Sequence, residues 1–306
     1  MTYEEKLGRF NEHIALGGKV ETQDWMPDDY RRGVLKFIEM HANSEIMGAL
    51  PERECLPFAP SLQRKMSLAA KIQDEVGHAQ LLYRVAEDLG KSREAMFVDL
   101  VQGRSKFHNV FHYPVHQWGD VAIIGWLIDG AALVTQAALL DSSYAPYTRV
   151  LKRICTEEQL HLRHGEDITL ELASGTDAQR EMFQEALNRW WLAIIHFFGP
   201  KSNVEKDLLL RWKVKTRTNE DLRQEFLDRY VPKIFELGFH FPTPTPHSSE
   251  DGHWLIKDED IDWEPLNSIK KNEGPETERR LSNRRAIYED HRWVREALSE
   301  PAVHAA

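Results

Sequence analysis

A chain of 306 residues that is 42% hydrophobic and 29% charged has enough apolar sequence for a large core, which excludes a disordered or fibrous protein. A formal charge of −10 at neutral pH argues against general binding to nucleic acid or to an anionic membrane surface. Cys55 and Cys155 lack the spacing of a zinc knuckle or iron–sulfur cluster and read as reduced core thiols, and MTYEEKLGRF has no apolar signal core, so a cytoplasmic protein is expected.

Capping residues mark the helices in chain order. Pro27, Asp28 and Asp29 predict a helix that runs to about Leu50 and is closed by Pro51, and Pro60-Ser61 opens a second that ends at Gly90. A shorter helix reaches about Arg104. After Tyr113-Pro114, residues 117–142 form a third long helix, and residues 146–174, closed by Gly175, form a fourth. A fifth spans 176–198 and stops at Gly199-Pro200; further helices are expected over 204–216 and 219–237. Strand-like alternation is nearly absent. Residues 240–262, rich in Pro, Ser and acids, read as an extended loop, and 276–298 return to charged helical sequence. The expectation is an all-α single domain over 1–306, with a helical core at 27–200. Accessory helices, the Pro-rich loop and a C-terminal helix fill 201–306.

The third helix contains VAIIGWLIDGAALVTQAALL, in which Asp129 is the one charge. A helix apolar all round either spans a membrane or crosses the centre of a large soluble protein. The chain's mean hydropathy of −0.53 favours the second, and no membrane is expected as a partner.

The most informative pattern is Glu-x-x-His. It occurs as Glu75-Val76-Gly77-His78 in the second helix and Glu158-Gln159-Leu160-His161 in the fourth, with lone carboxylates, Glu45 and Asp129, 30 and 29 positions upstream. Positions i and i+3 of a helix share a face, so each pair can aim a carboxylate and an imidazole at one metal. Glu45 lies on the stripe Leu35, Ile38, Ala42, Ala49; Glu75 lies on Leu68, Leu82, Leu89. Asp129 shares a face with Ala122 and Gln136, and Glu158 and His161 share one with Leu151, Ile154 and Ile168. A third match, Glu250-Asp251-Gly252-His253, follows Pro242, Pro244 and Pro246 in loop-like sequence and reads as coincidence.

Four carboxylates buried together are costly unless they bind metal. Four carboxylates and two imidazoles from four helices make the ligand set of ferritin-like di-iron and di-manganese proteins. The metal ligands are therefore expected to be Glu45, Glu75, His78, Asp129, Glu158 and His161. The oxygen-rich, thiolate-free set favours two Fe ions. Asp74 and Glu157, each just before a motif Glu, are placed to accept the outer N–H of a metal-bound imidazole. His41, His108, His112, His116 and His164 read as surface or satisfied core histidines. No dinucleotide fingerprint or cysteine cluster is present, so electrons for dioxygen chemistry imply a separate reductase.

The segments QDWMPDDYRR, HANSEIMGALPE, KIQDEVGHAQLLY, GWLIDGAA, SYAPY, NRWW, FGP, RWKVKTRTNEDLRQEF and WVREA, from Gln23 to Ala297, resemble the catalytic subunit of bacterial phenylacetyl-CoA epoxidases, which are multicomponent di-iron monooxygenases. The resemblance implies conversion of the ring of phenylacetyl-CoA to its 1,2-epoxide with dioxygen. Electrons would come from NADPH through a reductase subunit carrying FAD and an iron–sulfur cluster. It also implies a related helical subunit without metal and a small bridging subunit. Asp129 stands where related monooxygenases usually have Glu, and Glu157 where they generally have Asp. Glu45, Glu75, Asp129, Glu158 and Lys71 form the expected catalytic set, with Lys71 reaching the site from one turn before Glu75. Lys36, Lys106, Lys213, Lys215 and Arg217 are the expected cations for the phosphates of the acyl-CoA substrate.

Three other readings use the same scaffold. A ribonucleotide reductase small subunit needs a tyrosine one turn beyond the first histidine, where this chain has Leu82. A metal-storage protein needs only the four-helix core, and a non-catalytic partner subunit should lack several ligands.

Overall fold

Two long helices carry a Glu-x-x-His motif near mid-length and two carry the lone carboxylates Glu45 and Asp129, with apolar residues to either side, and that pattern sets the architecture. The structure is a computed structural model describing residues 1–299. Helix α1 (Tyr3–Ala15) starts with a reciprocal Thr2/Glu5 cap and docks Phe10 and Ile14. Helix α2 (Asp28–Cys55) has 28 residues, a length of about 42 Å. A 3₁₀ turn (Leu56–Phe58) leads to α3 (Leu62–Glu87), whose Ser61 hydroxyl accepts the Arg64 N–H at 3.1 Å. Helix α4 (Arg93–Val101) and a 3₁₀ turn (Asn109–His112) follow. Helix α5 (Trp118–Ile123), a π-helical segment (Ile124–Ile128) and α6 (Asp129–Leu139) form one continuous rod, and α7 (Ala145–Ala173) completes the bundle.

Packing is densest between α2 and α3, while α7 lies against α3 and the whole α5–α6 rod. Two apolar clusters fill the bundle. One holds Cys55, Leu68, Val121–Leu127 and Ile168, and the other holds Ile38, Ala42, Leu82, Leu151 and Ile154. On α2, α3 and α7 the polar motif residues fall between the two clusters, so the bundle has a polar layer near mid-length. This is the all-α, ferritin-like four-helix core expected from the sequence.

The accessory elements are α8 (Asp177–Phe197), α9 (Leu208–Arg211) and α10 (Asn219–Glu236). An antiparallel pair, β1 (His247–Ser248) and β2 (Trp254–Leu255), comes next, followed by a 3₁₀ turn (Asp258–Asp260). The chain continues through α11 (Glu264–Lys270), α12 (Thr277–Asp290) and α13 (Arg292–Ser299). Helix α12 is fastened to the core by the buried Arg280, which donates to the carbonyls of Phe111 and Tyr113, and by Thr277, whose hydroxyl meets His112 Nδ1 at 2.6 Å.

Three boundaries differ from expectation for identifiable reasons. Pro51 does not close α2. A proline removes one N–H and crowds the carbonyl four residues back, yet the last turn persists because it is buried, with Cys55 in the core and Glu52 Oε1 at 2.5 Å from Lys71 Nζ. The helix expected over 204–216 shrinks to α9, because Lys213 adopts φ 52° and its carbonyl accepts the Ser143 N–H at 2.8 Å. Residues 240–262 are mostly loop but include the short β pair.

Among the described residues, Trp118–Leu139 is the one helix long and apolar enough to cross a membrane, and 72% of its apolar window is buried inside the fold. Its π-helical segment approaches α7 closely. A Cβ on Gly165 would lie 2.0 Å from the Gly125 carbonyl carbon, and one on Gly125 would lie 2.9 Å from the Gly165 Cα, so both positions need glycine. Gly165→Ala is expected to lower unfolding free energy by about 1–3 kcal/mol through overpacking. A urea titration checks this; an unchanged midpoint would contradict the close approach.

Candidate metal centre

Each of the four bundle helices contributes to one buried cluster. Helix α2 supplies Glu45, α3 supplies Glu75 and His78, the first residue of α6 is Asp129, and α7 supplies Glu158 and His161. All six side chains are buried. Potential donor atoms of Glu45, Glu75, His78 and Glu158 lie within 4.8 Å of one another, as do those of Asp129, Glu158 and His161, so Glu158 is common to both groups.

The imidazoles present Nδ1 inward and Nε2 outward. His78 Nδ1 lies 3.3 Å from Glu158, 3.7 Å from Glu45 and 3.8 Å from Glu75, yet is enclosed with no hydrogen-bond partner. His161 Nδ1 lies 3.2 Å from Glu158 and 3.5 Å from Glu75. The outward contacts cross between the motifs: His78 Nε2 meets Glu157 of α7 at 2.9 Å, and His161 Nε2 meets Asp74 of α3 at 3.1 Å. Each outer carboxylate fixes the ring of the other helix's histidine, which leaves Nδ1 as the donor toward the cluster.

Charge in this layer is balanced by protons and one lysine. Burial pushes Glu75 well above the usual carboxylate range, with the charges of Glu158 and Glu45 adding to the effect. Burial opposes ionisation of Glu158, but the adjoining imidazoles of His161 and His78 draw it down to about 2. Burial raises Asp129 to about 7 against the pull of Lys71. Burial alone would depress Lys71, but Asp129 and Glu52, ahead of Glu75 and Glu158, hold it well above its ordinary range. Lys71 is thus a buried ammonium, 2.6 Å from Asp129 Oδ2 and 2.5 Å from Glu52 Oε1.

The donor set fits a pair of divalent cations. Four carboxylates match their charge, the partnerless His78 Nδ1 faces three of those carboxylates, and neither cysteine belongs to the two donor groups. Sequence reasoning missed two partners of the cluster. Glu52, which pairs with Lys71, lies seven residues after Glu45 and could have been found from that two-turn spacing. His41, whose Nε2 is 2.8 Å from Glu45 Oε1, sits one turn before it. The third Glu-x-x-His lies away from the cluster in the β1–β2 turn, where His253 Nδ1 meets Asp228 at 2.8 Å and Glu250 is exposed.

A cavity of about 280 Å³ has Glu45, Glu75, Asp129 and Glu158 on one side. Phe37, Met40, Phe111, Ile124, Ile128 and Phe197 supply apolar wall, and Lys215, the exposed Thr216 and Arg217 line its outer end. Lys215 is paired with Asp207 at 2.9 Å and Arg217 with Glu225. Lys36, Lys106 and Lys213 do not line this cavity. Lys36 is exposed, Lys106 donates to Asn272 at 2.8 Å, and Lys213 donates to the Ala15 carbonyl at 2.9 Å.

Residues 2–293 match the family described as phenylacetic acid catabolic protein. The chain belongs to that family. One subunit of the 1,2-phenylacetyl-CoA epoxidase of Escherichia coli (strain K12) is 43% identical to it over 300 residues, covering 97% of this chain and 96% of the relative. The family match runs from α1 into α13 and so includes the bundle, the cavity wall and the fastened α12.

Three histidines near the site are neutral in the folded chain. Burial lowers His108 to about 4, His112 to about 3 and His164 to about 4. A histidine depressed on folding loses stability as pH falls below its unfolded value near 6.5, by up to about 1.4 kcal/mol per pH unit for each group. His78 and His161, raised by their carboxylates, contribute stability that is already complete below that value. Asp129 and Glu75, raised on folding, act in the opposite sense over the same range, so the check is a difference: His108→Gln should lose less urea stability than the wild-type chain between pH 6.5 and 5. Equal losses in the two chains would contradict the neutral assignment of His108.

Proposed function

We propose that this chain is the di-iron catalytic subunit of a phenylacetyl-CoA epoxidase. The observation that carries the reading is the four-carboxylate, two-imidazole cluster at one end of a cavity whose walls are apolar and whose outer end is cationic. Identity of 43% to a subunit of such an epoxidase, along nearly the whole chain, supports the same substrate.

In this reading Glu45, Glu75 and His78 would hold one iron and Asp129, Glu158 and His161 the other, Glu158 being common to both donor groups. A di-iron pair supplies dioxygen activation when bound. The overall reaction consumes one dioxygen, two electrons and two protons; one oxygen atom joins the ring carbons as the 1,2-epoxide and the other leaves as water. Phe37, Phe111 and Phe197 exclude water around the aromatic ring, while Lys215 and Arg217 face the phosphates of CoA. That role requires the two cations to exchange Asp207 and Glu225 for the ligand. Lys71 holds a proton at Nζ between Glu52 and Asp129 and keeps the shorter Asp129 carboxylate aimed inward.

The chain carries no reductase cofactor motif. NADPH oxidation is therefore assigned to a separate reductase subunit with FAD and an iron–sulfur cluster. A small bridging subunit, together with a related metal-free helical subunit, completes the proposed assembly. The cytoplasm, where acyl-CoA esters and NADPH are found, is the proposed compartment.

Anaerobic reconstitution should load two irons per chain. His78→Ala combined with His161→Ala should remove most of that iron, whereas Glu250→Ala with His253→Ala should leave it unchanged. One iron in the wild-type chain, or iron retained by the histidine pair variant, would overturn the assignment.

Activity is expected only in the assembled system. With NADPH and phenylacetyl-CoA but no reductase, the chain should show no sustained turnover. Asp129→Asn should weaken iron binding about 10–100-fold and abolish epoxidation while preserving helicity. Product analysis by mass spectrometry and iron titration check both, and full activity of Asp129→Asn would remove Asp129 from the ligand set.

A further inference from the structure

Glu45 is gripped from the cavity side. Its Oε1 lies 2.8 Å from His41 Nε2, one helical turn earlier on α2, while its Oε2 faces His78 Nδ1 at 3.7 Å. His41 is held in turn: its Nδ1 lies 2.7 Å from the hydroxyl of Tyr147, which comes from the first turn of α7 and is fully buried. The two rings stand nearly perpendicular, at 88° with centroids 6.0 Å apart. Gln136 of α6 completes the surroundings, its Nε2 at 3.4 Å from His41 Nε2.

The contact distances assign the two ring nitrogens their roles. A carboxylate oxygen accepts, so the 2.8 Å contact sets an Nε2–H of His41 against Glu45 Oε1, and the Gln136 amide nitrogen, itself a donor, packs beside that N–H at 3.4 Å without bonding to it. With that proton on Nε2, Nδ1 accepts from the Tyr147 hydroxyl at 2.7 Å.

We infer that His41 is a positioning residue for the metal centre. Held at its far nitrogen by Tyr147, it occupies one oxygen of Glu45 and leaves the other directed at the cluster. Tyr147 extends the grip across the bundle, so the aim of an α2 carboxylate depends on the start of α7. This inference rests on the reading that Glu45 binds iron.

Full-length wild-type chain and the variants His41→Ala, His41→Gln and Tyr147→Phe are loaded anaerobically with Fe(II). Iron per chain, the rate at which a chelator withdraws it and the Mössbauer spectrum are then measured. His41→Ala is expected to release one of its two irons about 10–100-fold faster, with one quadrupole doublet altered. Gln, which keeps a side-chain N–H, should restore part of the retention, and Tyr147→Phe should fall between Gln and wild type. A merely structural histidine would not change the spectrum of one iron while sparing the other.

His41→Ala with wild-type withdrawal rates and an unchanged spectrum overturns the inference. If that variant loses its helicity, Tyr147→Phe decides, and wild-type behaviour there overturns it as well. A wild-type chain that takes up no iron overturns the metal-centre reading and this inference with it. Normal wild-type loading with silent variants overturns this inference alone.

Discussion

Mutual repulsion among Glu45, Glu75, Asp129 and Glu158 is the constraint on which the rest of the structure depends. Four carboxylates enclosed at mid-bundle cannot all ionise without cations, because burial removes the water that would screen them. The protein's own cations are Lys71 and the two motif histidines, and Glu75 remains protonated beside its charged neighbours. The polar layer is therefore unfavourable by itself and favourable only with cations bound. The two apolar clusters to either side supply the burial that holds it together.

Precision in that layer comes from backbone as well as side chains. Gly125 and Gly165 bring the π-helical segment against α7, and α6 begins immediately after that segment with Asp129. A π-helical turn shifts the register of all that follows it, which bears on where Asp129 points. The aspartate is one methylene shorter than a glutamate, and Lys71 reaches it from α3.

The bundle and all six cluster residues were legible in the sequence, because capping residues bound the long helices and a Glu-x-x-His on a buried face is costly unless it holds a metal. The π-helical segment was not legible, since a helix apolar on every side gives no periodic signal from which a slipped turn could be read. The continuation through Pro51 depends on the pairing of Glu52 with Lys71, a contact between two helices that local propensity cannot register. Helix α1 was missed because its apolar face is narrow and is defined by what it meets, Tyr30 and Trp212. His41 resembled any other helical histidine until the fold brought Tyr147 to its far side. Lys106 and Lys213 carried the right charge for phosphates, but the fold commits their ammonium groups to Asn272 and Ala15.

The crossed outer contacts bear on how such a site can be inherited. Because His78 leans on Glu157 and His161 leans on Asp74, neither Glu-x-x-His motif is a self-contained half-site. Loss of Glu157 together with the α7 motif would strand the α3 histidine without its outer partner, and loss of Asp74 together with the α3 motif would do the same in reverse. A descendant that lost one motif would therefore not be a working one-metal version of this protein.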